Sequence, residues 1–260
     1  MIPVSIRHLS LFRSDSRPPL SKFGATIDAA QPATSIAMTL TRRRFSGALL
    51  GAGLAGPGLR ASAQGAFSEG VHYVRLAEIA AAPTSGKVEV IEFFWYECPH
   101  CNALEPALDA WTRRLADDVA FRRVPVWFRE EPFGPQQRLF YTLEALGLVA
   151  TLHRKVFQTI HGERTRLRTP EDMAAFALKN GVDPMAFMTT FNSFGVQTKA
   201  QQARQTASAY KIDAVPAMGV QGRYYTNGIL ANAGVANGST DRMLGVVDAL
   251  IARIRQGNRA

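Results

Sequence analysis

Hydrophobic and polar positions along the chain change period several times, and each change marks an element. Val88-Glu89-Val90-Ile91-Glu92-Phe93-Phe94-Trp95-Tyr96 is almost continuously apolar and rich in β-branched and aromatic residues, the pattern of a central strand covered on both faces. After Pro99, residues Leu104, Leu108, Trp111 and Leu115 recur at helical spacing, which predicts a helix from about Pro99 to Ala116, bent where Pro106 interrupts its hydrogen bonding. A second strand is expected over Val119 to Phe128, stopped by Glu130-Glu131-Pro132-Phe133-Gly134-Pro135. From about Gln136 to Lys211 the pattern is helical throughout. Thr169-Pro170-Glu171-Asp172 and Asp183-Pro184 supply helix starts, and Asn180-Gly181 supplies a stop between them. Strand signals return as Ala217 to Gln221 and Arg223 to Thr226, with Gly222 as the turn. A closing helix from about Ser239 to Arg255 presents Leu244, Val247, Ile251 and Ile254 on one face. The fold class is therefore an α/β core interrupted by an all-helical insertion, with a first core part at 64–135, the insertion at 136–211 and a second core part at 212–260.

Composition narrows the class. The chain has 260 residues, 47% hydrophobic and 20% charged, as an ordinary globular protein has, and this argues against disorder or a membrane bundle. Its two cysteines, Cys98 and Cys101, can close only a four-residue ring, so a disulfide-stapled scaffold is excluded. The net charge of +9 invites a nucleic-acid reading until the charges are located. Residues 1–63 carry six of the nine units, and they have the layout of an export signal. Arg42 to Arg44 form a basic region, Phe45 to Leu59 a weakly apolar run, and Ala61-Ser62-Ala63 a cleavage site leaving Gln64 first. That run of about 15 residues is short of the roughly 20 a spanning helix needs. Thr41-Arg42-Arg43-Arg44-Phe45 resembles a twin-arginine motif, with a general secretory signal as the alternative. Residues 1–37 fit neither, and Met38 is the expected start of translation. The mature chain keeps only +3, which gives no support for nucleic acid.

Cys98-Pro99-His100-Cys101 stands where the central strand gives way to a helix. Free backbone N–H groups and the helix dipole stabilise an anion there, so the Cys98 thiol should ionise below its ordinary range. Pro99 suits the first turn. His100 favours the thiolate as a cation or a hydrogen-bond donor. Cys101, one turn inward, can attack a mixed disulfide formed at Cys98. A stabilised thiolate stabilises the reduced pair and makes the disulfide an oxidant. Glu92 is a lone carboxylate in an apolar strand, either buried with a raised pKa or facing a gap near the dithiol. CxxC also occurs in zinc sites, but no second Cys/His pair has useful spacing; His153 and His161 read as surface or core residues. Met185, Phe187, Met188, Phe191 and Phe194 read as the core of the helical segment or as an adaptable peptide groove.

The run from Ile91 to Cys101 resembles the active-site segment of the DsbA-type periplasmic thiol:disulfide interchange proteins of bacteria, which are thioredoxin-fold oxidases with an inserted helical domain. Val215-Pro216-Ala217 sits where that fold carries a cis-proline facing the CxxC pair. The resemblance covers 64–260 in element order. It implies a redox-active disulfide between Cys98 and Cys101, a substrate-binding backbone at Val215 and Pro216, and a proton relay from Glu92 to Cys101. It also implies no cofactor, a periplasmic monomer acting on newly exported proteins, and reoxidation by a DsbB-type membrane quinone oxidoreductase. Glu97 departs from the pattern, since comparable proteins have an uncharged residue there. A carboxylate beside Cys98 disfavours the thiolate, so a less oxidising protein than a Glu97→Gly version is expected. Rival readings are a reductase or isomerase of the same fold, the latter disfavoured by the short segment before Val88, and a binding module with an inert pair.

Overall fold

The computed structural model describes residues 67–78, 80 and 86–257; the export signal and Met38 lie outside them. Five strands form one mixed sheet in the order β1-β5-β4-β2-β3: β1 is Val74–Arg75, β2 Val88–Phe94, β3 Val119–Pro125, β4 Ala217–Val220 and β5 Tyr224–Asn227. Only β2 and β3 are parallel, joined by the crossover helix α1, Pro99–Thr112. Every residue of β2 is buried, as its unbroken apolar run requires. Between β3 and β4 lie α2 (Phe133–Ala145), α3 (Val149–Phe157), a π-helical turn (Gln158–Gly162), α4 (Pro170–Lys179), α5 (Pro184–Phe191) and α6 (Phe194–Ala209). The short helix α7 (Gly228–Ala231) and the closing helix α8 (Arg242–Gly257) follow β5.

The helix starts form as their sequences direct. Thr169 accepts from the Asp172 N–H while Asp172 accepts in return, a complete capping box with Pro170 in the first turn. Asp183 caps α5 through the Ala186 N–H at 2.8 Å. Some boundaries differ from expectation. Helix α1 runs through Pro106 but stops at Thr112, and β3 ends at Pro125, three residues early, with Val126 N–H making a last bond to Phe94 O at 2.9 Å. The hairpin turn places both Gln221 (φ 53) and Gly222 (φ 64) in the left-handed region, closed by Arg223 N–H to Val220 O at 3.0 Å, so Gly222 does not turn the chain alone.

Apolar side chains gather on the two faces of the sheet. One core joins Val88, Val90, Met218 and Val220 to Leu104, Leu108 and Trp111 of α1 and Leu244, Val247, Ile251 and Ile254 of α8. Trp111 donates its indole N–H to Asp248 at 2.8 Å, tying these helices together. The other core joins Ile91 and Phe93 to the inserted helices and includes Phe187 and Phe191. Of the Met/Phe set in α5 and α6, those two are wholly buried, whereas Met185 and Phe194 are exposed, so the set divides between core and surface. Tyr210, just after α6, seals the insertion against the sheet. Its ring lies 5.2 Å from that of Phe93, and its hydroxyl accepts from Gly222 N–H at 2.8 Å. A Cβ at Gly219 would come within 2.3 Å of the Tyr210 ring, so only glycine fits beneath it.

Candidate active site

The site is built where β2 ends. Trp95 O accepts from Cys98 N–H at 3.0 Å, closing the turn that carries the chain from the strand into α1. Cys98 is the N-cap of α1, with extended backbone (φ −78, ψ 117), and its Sγ accepts from Cys101 N–H at 3.4 Å. A sulfur thus occupies the position where a helix start binds an oxygen cap or an anion. Both cysteines are free thiols; Cys98 is 7% exposed and Cys101 is fully enclosed. The Val215–Pro216 peptide is cis, and Val215 O lies 3.4 Å from Cys98 Sγ, accepting from the thiol when it is protonated. Pro99 and His100 stand exposed at the start of the helix, and Pro216 is buried. The sequence-predicted residues Cys98, Pro99, His100, Cys101, Val215 and Pro216 therefore meet in one place.

Ionisation of the two thiols is driven apart. Hydrogen bonding from the Cys101 side chain, then from the backbone N–H groups of Cys101 and His100, brings the Cys98 thiol down to about 6 against the cost of partial burial. Burial and the neighbouring Cys98 push Cys101 well above the ordinary thiol range. Iodoacetamide is therefore expected to alkylate Cys98 alone in the reduced protein, with a rate that rises to half its plateau near pH 6. A midpoint near 9 for that residue overturns the assignment.

Beneath the thiols lies a buried polar cluster that the sequence reading met at Glu92 and, as a surface or core residue, at His153. Arg123 of β3 reaches Glu92 (3.0 Å), Glu105 (3.4 Å) and Asp109 (3.4 Å). Burial, with the Glu105 charge beside it, raises the Glu92 carboxyl to about 8 despite Arg123. Apart from this Arg123 ion pair, no donor among the described residues reaches either oxygen of Glu92. His153 of α3 bridges Tyr96 Oη (2.9 Å) and Glu105 Oε1 (3.2 Å). Burial lowers the imidazole pKa, so at neutral pH the ring is uncharged; the tyrosine donates to Nδ1 and Nε2–H donates to the carboxylate. His161 bonds the Tyr96 carbonyl at 2.8 Å. These histidines thus hold the strand that leads to Cys98. A signal for this cluster was present: Cys101, Glu105 and Asp109 recur every four residues, one face of α1.

The expectation for Glu97 changes. Its side chain is 9% exposed and does not stand beside Cys98 as a free negative charge. Arg168 binds both of its oxygens, at 2.7 and 2.5 Å, and Gln136 donates to Oε1 at 3.0 Å. Neither partner was legible locally, because both come from the insertion and meet Glu97 only in the fold.

Comparison with known proteins gives concordant results. A family model described as a DSBA-like thioredoxin domain matches residues 135–241. The thiol:disulfide interchange protein DsbA of Bordetella parapertussis is 41% identical over 218 residues, covering 84% of this chain and 98% of that protein. Its namesake in Burkholderia cepacia is 40% identical over 201 residues, 75% of this chain and 93% of the relative. The crystal structure of Pseudomonas aeruginosa DsbA superposes with a TM-score of 0.70 at 36% identity, covering 75% of this chain and 98% of that one.

Proposed function

Since this chain belongs to the DsbA family of thiol:disulfide interchange proteins, a family of thiol:disulfide oxidoreductases, we propose that Cys98 and Cys101 are its redox-active pair and that it donates their disulfide to newly exported proteins in the periplasm. The observation that carries this reading is the placement of Cys98 Sγ at the N-cap of α1, against the Val215 carbonyl, with Cys101 enclosed behind it.

In the oxidised form a substrate thiolate attacks Cys98 Sγ. The Cys98–Cys101 bond breaks, its electron pair goes to Cys101, and a mixed disulfide forms at Cys98. Because the Cys101 thiol holds its proton tightly, the leaving sulfur takes up a proton, and Glu92, protonated at neutral pH, is the group that supplies it. A second substrate thiolate then attacks the substrate sulfur and releases Cys98 as a thiolate. Two substrate thiols become one disulfide, and the enzyme is left as the dithiol. The backbone at Val215 and Pro216 offers an extended chain an edge to pair with. Trp95, stacked on Phe133 at 4.4 Å, and the exposed Phe128 beside that ring give an unfolded chain apolar surface to rest on.

Thiolate stabilisation sets the direction of transfer. A Cys98 pKa lowered from 9.0 to about 6 stabilises the folded reduced form, fully above pH 9 and progressively less as pH falls through 6. The oxidised form has no such gain, so at neutral pH the disulfide is driven toward reduction. A reduced enzyme needs reoxidation, and a quinone-linked membrane oxidoreductase of the DsbB type is the partner proposed for it. Residues 38–63 serve as the export signal, and the enzyme acts as a monomer without a cofactor. Equilibration with glutathione buffers tests the direction. A reduction potential more oxidising than about −180 mV is expected, and a value near −270 mV, that of a cytosolic reductant, overturns the oxidase reading in favour of a reductase.

A further inference from the structure

We propose that Arg168 is a positioning residue for the dithiol: by clasping Glu97 it neutralises the carboxylate next to Cys98 and so preserves the thiolate on which oxidation of substrates depends. The proposal rests on the reading of Cys98 as the nucleophile. A carboxylate directly before that cysteine is a liability, because a nearby like charge opposes ionisation of the thiol. Burial sharpens it, since a side chain only 9% exposed has little water to screen its charge.

The geometry removes that liability by a planar two-bond grip. Arg168 Nε donates to Glu97 Oε1 at 2.7 Å and its terminal nitrogen to Oε2 at 2.5 Å, the fork-to-fork arrangement that only arginine provides. Gln136 of α2 holds both partners of the grip. Its amide nitrogen donates to Glu97 Oε1 at 3.0 Å and to the carbonyl of Leu167, the residue before Arg168, at 3.1 Å. Leu167 is itself buried, which anchors the loop between the π-helical turn and α4. Arg168 lies 71 residues from Glu97, so the insertion completes the electrostatics of a motif it does not contain. The other charged or titratable groups acting in this region are His100 and Cys101 on α1, Glu92 on β2, and Glu131, whose charge also acts on Arg168. Among the described residues the ion-pair partner of Glu97 is Arg168.

The test is a double-substitution cycle read by thiolate absorbance at 240 nm during pH titration of the reduced, folded protein. In R168A the Cys98 pKa is expected to rise by about half a unit to one unit, as a bare carboxylate at the motif requires. E97Q is expected to leave it unchanged or slightly lower, and R168A/E97Q to return it to the wild-type value. R168K, which keeps a charge but not the fork, is expected to lie between wild type and R168A. Should R168A fail to fold, R168Q removes the charge while keeping a donor and reads the same shift. A wild-type pKa in R168A or R168Q, or a rise that persists in the double variant, shows the clasp to be purely structural and overturns the proposal. The absorbance reports ionisation of Cys98 whether or not the protein exchanges disulfides, so this failure is distinct from failure of the oxidase reading.

Discussion

Cys98→Ala is expected to abolish insulin reduction and thiol oxidation by more than about a thousandfold, because no other group in the site can form the covalent intermediate. Cys101, the only other sulfur of the pair, is fully enclosed and holds its proton well above neutral pH, so it cannot substitute as the attacking thiolate. The complementary change separates the two roles. Cys101→Ala leaves Cys98 able to attack the disulfide of an oxidised substrate such as insulin, forming a mixed disulfide and releasing one substrate thiol, but removes the thiol that would resolve it in that direction. That variant is expected to accumulate covalent complexes visible on a non-reducing gel and by intact mass, whereas Cys98→Ala accumulates none. Folding should be little affected in either, since the pair closes too small a loop to stabilise the chain. A Cys98→Ala protein that keeps a tenth of the activity, or that still traps substrate, removes the proposed mechanism.

Glu92→Gln is expected to make the protein more stable and slower. In the folded protein burial lifts the Glu92 carboxyl from 4.5 to about 8, so between those values the folded state holds a proton that the unfolded chain has released. The unfolded state thus binds fewer protons in this window, and stability falls as pH rises through it. Glutamine cannot ionise and removes that slope. At about 1.4 kcal/mol per pKa unit the gain at pH 8 is of order 3–5 kcal/mol, fading to nothing near pH 4. Arg123 is not stranded by the change, because Glu105 and Asp109 remain within 3.4 Å of it. Urea unfolding at a series of pH values reads the effect directly. Wild-type and Glu92→Gln stabilities that run parallel from pH 4 to pH 8 exclude a raised Glu92 pKa. Turnover should slow in the same variant, since the group proposed to protonate the departing Cys101 sulfur is gone. A stabilising substitution that costs activity is the usual mark of a functional buried acid.

How far the sequence reached depends on whether a feature is carried by neighbours in the chain. The apolar run of β2, the helical stripe of α1 and α8 and the capping pairs at Thr169 and Asp183 are local, and each element formed within about a turn of where its pattern put it. The position of Cys98 at a helix start was legible for the same reason: a strand pattern ending at Tyr96 and a proline at 99 leave little room for another arrangement. Elements whose limits are set by tertiary contacts were read less well. Strand β3 ends early at Pro125, and the two-residue strand β1 exists only because β5 is beside it. The electrostatics of the site were the least legible part. Glu92 looked solitary, yet its environment comes from Glu105 on α1, Arg123 on β3 and His153 on α3. Glu97 looked like a free charge, and its counter-ion arrives from 71 residues away. Only Glu105 and Asp109, four and eight residues after Cys101 on one helical face, left a trace in the local pattern.

The order of the strands bears on how the chain can reach this structure. Strand β2, which ends at the dithiol, pairs on one side with β3, about thirty residues later, and on the other with β4, which follows the whole helical insertion. Pairings this distant in sequence raise the contact order and slow folding. For a chain emerging from its N-terminus, Cys98 and Cys101 are therefore present as reactive thiols well before Val215 and Pro216 exist to cover them. In an oxidising compartment such an interval would tangle a cysteine-rich protein. Here two cysteines permit a single intramolecular connectivity, so premature oxidation within the chain can yield only the Cys98–Cys101 bond.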